Sequence, residues 1–163
     1  MESLLFWLFA LLTLAGGVGV VAFRNPINGA MSLVGSFFAL SGLYLLLEAQ
    51  LVAALQILVY AGAIMVLFLF VIMLLNLGPR DLGARRFGVG KVAGFFSATA
   101  AVVLLLKVVV PLAPPTQSVT SDFGTVAGVG RILYTQYALP FEVVSLLLLT
   151  AMVAAVVVAK GKI

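Results

Sequence analysis

The stretch Ala49-Gln-Leu-Val-Ala-Ala-Leu-Gln56-Ile-Leu-Val-Tyr60-Ala-Gly62-Ala-Ile-Met65-Val-Leu-Phe-Leu-Phe-Val-Ile-Met-Leu-Leu75-Asn-Leu-Gly-Pro79 runs for 31 residues without a charge. A membrane-crossing helix needs about 20 apolar residues. The run therefore holds one span, placed at residues 52–75, and Asn76, Gly78 and Pro79 stop it as Gly followed by Pro stops any helix. Working outward, four more segments qualify: residues 3–23, 27–47, 91–110 and 140–159. The first ends at Arg24-Asn25-Pro26, the second at Glu48 and the fourth at Pro111, while Pro140 opens the fifth. The expected fold is an all-α integral membrane protein of five transmembrane helices, with residues 1–163 forming a single membrane domain. The first run is too long for a signal-peptide core and lacks a basic leader, so it reads as a retained span.

Composition agrees. Of 163 residues, 64% are hydrophobic and 9% charged, against roughly 45–50% and about 25% in soluble domains. His and Cys are absent, which excludes imidazole acid–base chemistry, thiolate nucleophiles, disulfides and the usual metal-ligand sets. The five carboxylates, Glu2, Glu48, Asp81, Asp122 and Glu142, are dispersed. No catalytic residue and no metal site is expected. The net charge of +4 reflects membrane topology rather than nucleic-acid binding. With five spans, one side collects Arg24, Arg80, Arg85, Arg86, Lys91, Lys160 and Lys162 and the other only Lys107 and Arg131, seven basic residues against two. Basic residues favour the cytoplasm, so the N-terminus is expected outside and the C-terminus in the cytoplasm.

Lipid gives no hydrophobic push between helices, so contacts rely on small residues. The second span carries Ser32, Gly35, Ser36, Ala39 and Gly42 on one face, and the fourth carries Gly90, Gly94 and Ala98 at i, i+4, i+8. Ser32, Gly35 and Gly94 are the candidate packing positions, against other spans of this chain or against partner subunits. In the third span, Gly62 between two alanines marks where a helix bends or takes a π-bulge, with the irregular point expected between about Tyr60 and Val66. Gln56 and Tyr60 form a polar stripe, either interhelical glue or a functional feature. A change of helix form there moves bulky residues such as Leu67 and Phe68 into or out of a narrow water passage. Glu48 is either a solvated interfacial charge or the mouth of a proton path.

The block from Gln56 to Asn76 resembles the signature of subunit J of the proton-pumping NADH:quinone oxidoreductase, respiratory complex I, whose mitochondrial counterpart is the mitochondrially encoded subunit 6. Arg24-Asn-Pro26 and Leu139-Pro-Phe-Glu142-Val-Val-Ser145-Leu-Leu-Leu-Leu-Thr-Ala151 resemble two further family blocks, in the same order. The resemblance implies a multi-pass subunit of the cell inner membrane that carries no cofactor. FMN and iron–sulfur clusters are implied in other subunits. Implied neighbours are the quinone-site subunit, the small subunits A and K and the antiporter-like subunits, with quinone touched only indirectly. It also implies that the third span switches between π and α forms around Tyr60 and Gly62 to open or close a water path. Gln50 and Gln56 depart from relatives that carry acids there, leaving Glu48 as the nearby carboxylate. The rival readings are the homologous subunit of a multisubunit cation/proton antiporter or membrane-bound hydrogenase, and a purely structural scaffold.

Overall fold

The computed structural model describes residues 1–75, 89–109 and 122–161. Every regular element among them is helical: α1 (Glu2–Ala22), α2 (Pro26–Leu46), α3 (Gln50–Leu75), α4 (Val89–Val109), α5 (Val126–Thr135) and α6 (Ala138–Ala159). Among the described residues, α1, α2, α3 and α6 are long and apolar enough to cross a membrane. Within α4 the apolar helical stretch Phe96–Val108 is shorter. The basic link around Arg80, Asp81, Arg85 and Arg86 lies outside the described residues.

Helix starts sit one or two residues ahead of the sequence expectation, for a visible local reason at α2. Asn25 caps α2, its side-chain oxygen accepting from the Ile27 N–H at 2.9 Å, and Pro26 then takes the first helical position. Proline is favoured there because its missing N–H is one of the unpaired donors anyway. At the other end of α2, Ala49 N–H donates to the Tyr44 carbonyl (2.9 Å) and Glu48 N–H to the Leu45 carbonyl (3.1 Å). This is a Schellman closure, and it requires a left-handed residue at Glu48, whose φ is 59°. Glycine normally fills that position. Glu48→Gly is expected to stabilise the turn by about 1 kcal/mol, read as a higher unfolding temperature of the purified complex in mild detergent.

The α1–α2 hairpin is closely packed. A Cβ added at Gly16 would lie 2.7 Å from Ser36 Cβ, and one at Gly19 would overlap the Ser32 hydroxyl. The serines use the proximity: Ser32 donates to the Gly16 carbonyl at 2.9 Å and Ser36 to the Thr13 carbonyl at 2.9 Å. Gly35 and Gly94 differ, since an added Cβ at either meets nothing within 4 Å.

α3 packs on α2 through a cluster of Ala30, Met65 and Ile72, with Leu33, Val34, Phe37 and Leu69 around it. α5 is a helix within what reads as a polar link. Thr125 caps it by accepting from Gly128 N–H at 3.1 Å, and its apolar residues Val126, Val129, Ile132 and Leu133 recur at helical spacing. α5 rests against α6 and the start of α3. Neither α1 nor α6 contains a buried residue. The chain exposes 13386 Å², where a compact monomer of 17.1 kDa exposes roughly 7,800 Å². Large apolar faces are thus left for lipid and for neighbouring helices.

Candidate functional site

The third span changes form twice. Gln50–Leu55 is α-helical, Gln56–Ile64 is a π-helix of 9 residues, and Met65–Leu75 returns to α. The irregular segment starts a turn earlier than Gly62 alone indicates and ends before Val66. Met65 N–H donates to the Tyr60 carbonyl, five residues back, the bond that defines a π turn. Its consequence appears in the buried positions, Ala53, Gln56, Ala61, Met65 and Ile72. They step by three, five, four and seven, and the step of five falls inside the π segment. On an unbroken α-helix, Met65 lies about 120° round the axis from Ala53. The extra residue in the π segment removes that offset and lets both halves of α3 face α2.

At the start of the π segment, backbone bonding is completed from outside. Gln56 N–H reaches the carbonyls of both Val52 and Ala53, and the Ser41 hydroxyl, 2% exposed, donates to the Ala53 carbonyl at 3.0 Å. In lipid a backbone acceptor needs such a partner. No sequence feature singled out Ser41 beyond its being a hydroxyl on an apolar span.

The other predicted residues fall as follows. Gln56 is 5% exposed, and none of the hydrogen bonds among the described residues uses its amide. Tyr60 is half exposed and sets its ring edge against Phe37, centroids 5.8 Å apart at 73°. At Gly62 an added Cβ lies 3.2 Å from the Ile57 carbonyl oxygen, so any side chain crowds the π turn. Leu67 and Phe68 are both exposed, Leu67 on the side of α3 away from Met65 and Ile72 and Phe68 at the edge of their face. Glu48 is exposed at the turn leading into α3. Ser32 lies in the α1–α2 contact, while Gly35 faces open space. Gln56, Tyr60 and Gly62 thus share the π segment; Glu48 and the packing residues sit apart from it. The arrangement offers no nucleophile or acid–base pair. Its distinguishing feature is conformational: a π segment with one residue more than a regular α-helix needs, followed by a wholly apolar half.

The profile of the family described as NADH-ubiquinone/plastoquinone oxidoreductase chain 6 matches residues 16–158. This chain belongs to that family. Relatives agree along nearly the whole length. NADH-quinone oxidoreductase subunit J of Pseudomonas aeruginosa is 40% identical, over 86% of this chain and 90% of its own. NAD(P)H-quinone oxidoreductase chain 6 of Synechocystis sp. is 37% identical over 95% and 79%. F(420)H(2) dehydrogenase subunit J of Methanosarcina mazei is 32% identical over 99% and 93%. The chain is therefore a multi-pass membrane subunit of the complex I type, a component of an oxidoreductase complex.

Proposed function

We propose that this subunit couples quinone reduction to proton translocation through a change of form in α3, and that it carries no redox centre. The observation that supports this best is the π segment itself. It lies mid-span, and its surplus residue decides which side chains of Met65–Leu75 face α2. Removal of the bulge turns that half by about 100°, bringing Ile64 and Val71 to the positions of Met65 and Ile72, Phe68 to that of Leu69 beside α2, and Leu67 to that of Phe68. Bulky side chains there complete or interrupt a water chain between the quinone cavity and the antiporter-like subunits. A two-state element of this kind is biased by events at a distance only if its two forms differ little in energy. The π segment meets that condition, since both forms bury apolar residues against α2.

Neighbours are the quinone-site subunit, the small subunits A and K and the antiporter-like subunits, set against the exposed faces of α1, α4 and α6 and the outer face of α3. The relatives are named for different donors, NADH, NAD(P)H and F(420)H(2); donor chemistry, FMN and iron–sulfur clusters belong to other chains in this proposal. Deleting this chain is expected to abolish quinone-coupled NADH oxidation and proton translocation in membrane vesicles, while NADH oxidation with an artificial acceptor survives in the peripheral arm. Proton pumping that persists without the chain rules the proposal out.

Five helices cross the inner membrane with the N-terminus outside, α4 serving as the fourth span. Cysteine placed at Gln136, between α5 and α6, is expected to react with an impermeant maleimide added to intact cells, and cysteine at Lys160 only after the membrane is opened. The reverse pattern inverts the topology. For Glu48, a role in proton entry predicts that Glu48→Gln and Glu48→Gly both slow translocation roughly severalfold in an assembled complex. The glycine variant separates the charge from the backbone strain. Normal translocation in both leaves Glu48 a solvated charge.

A further inference from the structure

We propose that the turn at residues 122–125 is a clamp on the N-terminal end of α3, holding that end still so that a change in the π segment turns the Met65–Leu75 half alone. The inference rests on the switching role proposed above and adds the fixed end that such a switch requires.

The clamp is built from backbone. Leu51 N–H donates to the Gly124 carbonyl at 3.0 Å. Leu51 is the second residue of α3, so its N–H is one of the donors that a helix start leaves without an internal partner. Gly124 presses on the preceding turn: a Cβ there would overlap the Glu48 carbonyl oxygen and lie 2.8 Å from Glu48 C and 3.0 Å from Ala49 Cα. Its φ of +68° independently calls for glycine. Two left-handed residues, Glu48 and Gly124, thus meet back to back at the base of α3. The turn is itself stiffened. The Thr125 hydroxyl donates to the Asp122 carbonyl at 2.9 Å while accepting from Gly128 N–H at 3.1 Å, and a Cβ at Gly128 would overlap the Asp122 carbonyl. From the opposite side, Ser41 holds the Ala53 carbonyl at 3.0 Å.

The other half of α3 is held differently. Met65 and Ile72 meet α2 only through apolar contact, and Met65–Leu75 has no polar side chain. Apolar contact is non-directional, so Ile64 and Val71 can replace Met65 and Ile72 with little change in the area covered. Directional hydrogen bonds at Leu51 and Ala53 allow no such exchange. A rotation generated between the two halves is therefore expressed at the apolar end.

Gly124→Ala tests this in the intact complex, with two readouts. Amide exchange over residues 49–55, followed by mass spectrometry, is expected to rise about tenfold with exchange in α1 and α2 unchanged. Quinone reduction is expected to stay within about twofold, while protons translocated per quinone reduced fall to roughly half or less. If Gly124→Ala does not accumulate in the complex, Thr125→Ala loosens the turn without a backbone clash, and about fivefold faster exchange with a reduced proton ratio is expected. Unchanged exchange in the variant that assembles overturns the clamp. Faster exchange with an unchanged proton ratio overturns its role as the fixed end. The switch itself is tested separately by deleting a residue from the π segment, so normal coupling in the clamp variant alone removes only the clamp.

Discussion

A Gly16→Leu variant is expected to be missing from the assembled complex. Its Cβ falls 2.7 Å from Ser36 Cβ and 3.0 Å from both the Ser32 carbonyl oxygen and Ser36 Cα. These obstacles are mostly backbone and the first atom of a short side chain, so relief requires α1 and α2 to separate. Overpacking of this kind costs about 1–3 kcal/mol. Separation also breaks the Ser32 and Ser36 hydrogen bonds to α1 carbonyls, each about 0.6 kcal/mol in a membrane. α1 has no buried residue to compensate. A loss of a few kcal/mol changes cellular abundance many-fold. An immunoblot of native gels should show less than about a tenth of the wild-type complex. Gly17→Leu is the internal control. It lies one position along the same helix and meets nothing within 4 Å, so normal assembly is expected from it. A normal Gly16→Leu complex disproves the packing argument. Gly35→Leu asks something different, because Gly35 faces open space in this chain; an assembly defect there reports a partner helix seated on that face of α2.

The contrast between Gly16 and Gly35 marks where sequence reading ends. Both are small residues on apolar spans, and small residues say that a close face is possible, not what meets it. That depends on how α1 and α2 cross, a tertiary fact. The span positions were legible because a membrane helix is set by the length of an apolar run, and the observed starts lie only one or two residues earlier, as at α2, where Asn25 caps and Pro26 takes the first position. Gly62 between alanines marked irregularity in α3, but the segment begins at Gln56. At its start the Ala53 carbonyl takes a donor from Ser41, which lies on another helix. The clamp was illegible for the same reason. Nothing around Gly124 announces that its carbonyl meets Leu51, more than seventy positions earlier. α5 escaped notice because it is short and carries two glycines, yet Thr125 ahead of Val126, Val129 and Leu133 was a usable start signal.

Deleting Ala63 from the chain is expected to give a complex that assembles and cannot couple. Ala63 is exposed within the π segment, so its loss removes no buried contact. The segment holds one residue more than an α-helix needs to bring Ala53, Gln56, Met65 and Ile72 onto one face. Without Ala63, a regular helix places Met65 about 20° from Ala53, so α3 keeps its packing on α2 with unbroken α bonding. The variant is thus fixed in regular form with the resting face still presented, the combination that wild-type α3 cannot reach. Gly62→Val approaches the problem from the other side. Its Cβ sits 3.2 Å from the Ile57 carbonyl and crowds the π turn, pushing the helix toward the regular form with the Met65–Leu75 half rotated by about 100°. Both variants should keep artificial-acceptor NADH oxidation. Quinone-driven proton translocation should fall more than about tenfold in the deletion, which has lost the second state, and less in Gly62→Val, where the balance is shifted but both states survive. If α3 serves only as packing, the deletion, which restores that packing, pumps normally and Gly62→Val is the worse of the two. The order of the two variants in a proton-translocation assay therefore separates a switch from a scaffold.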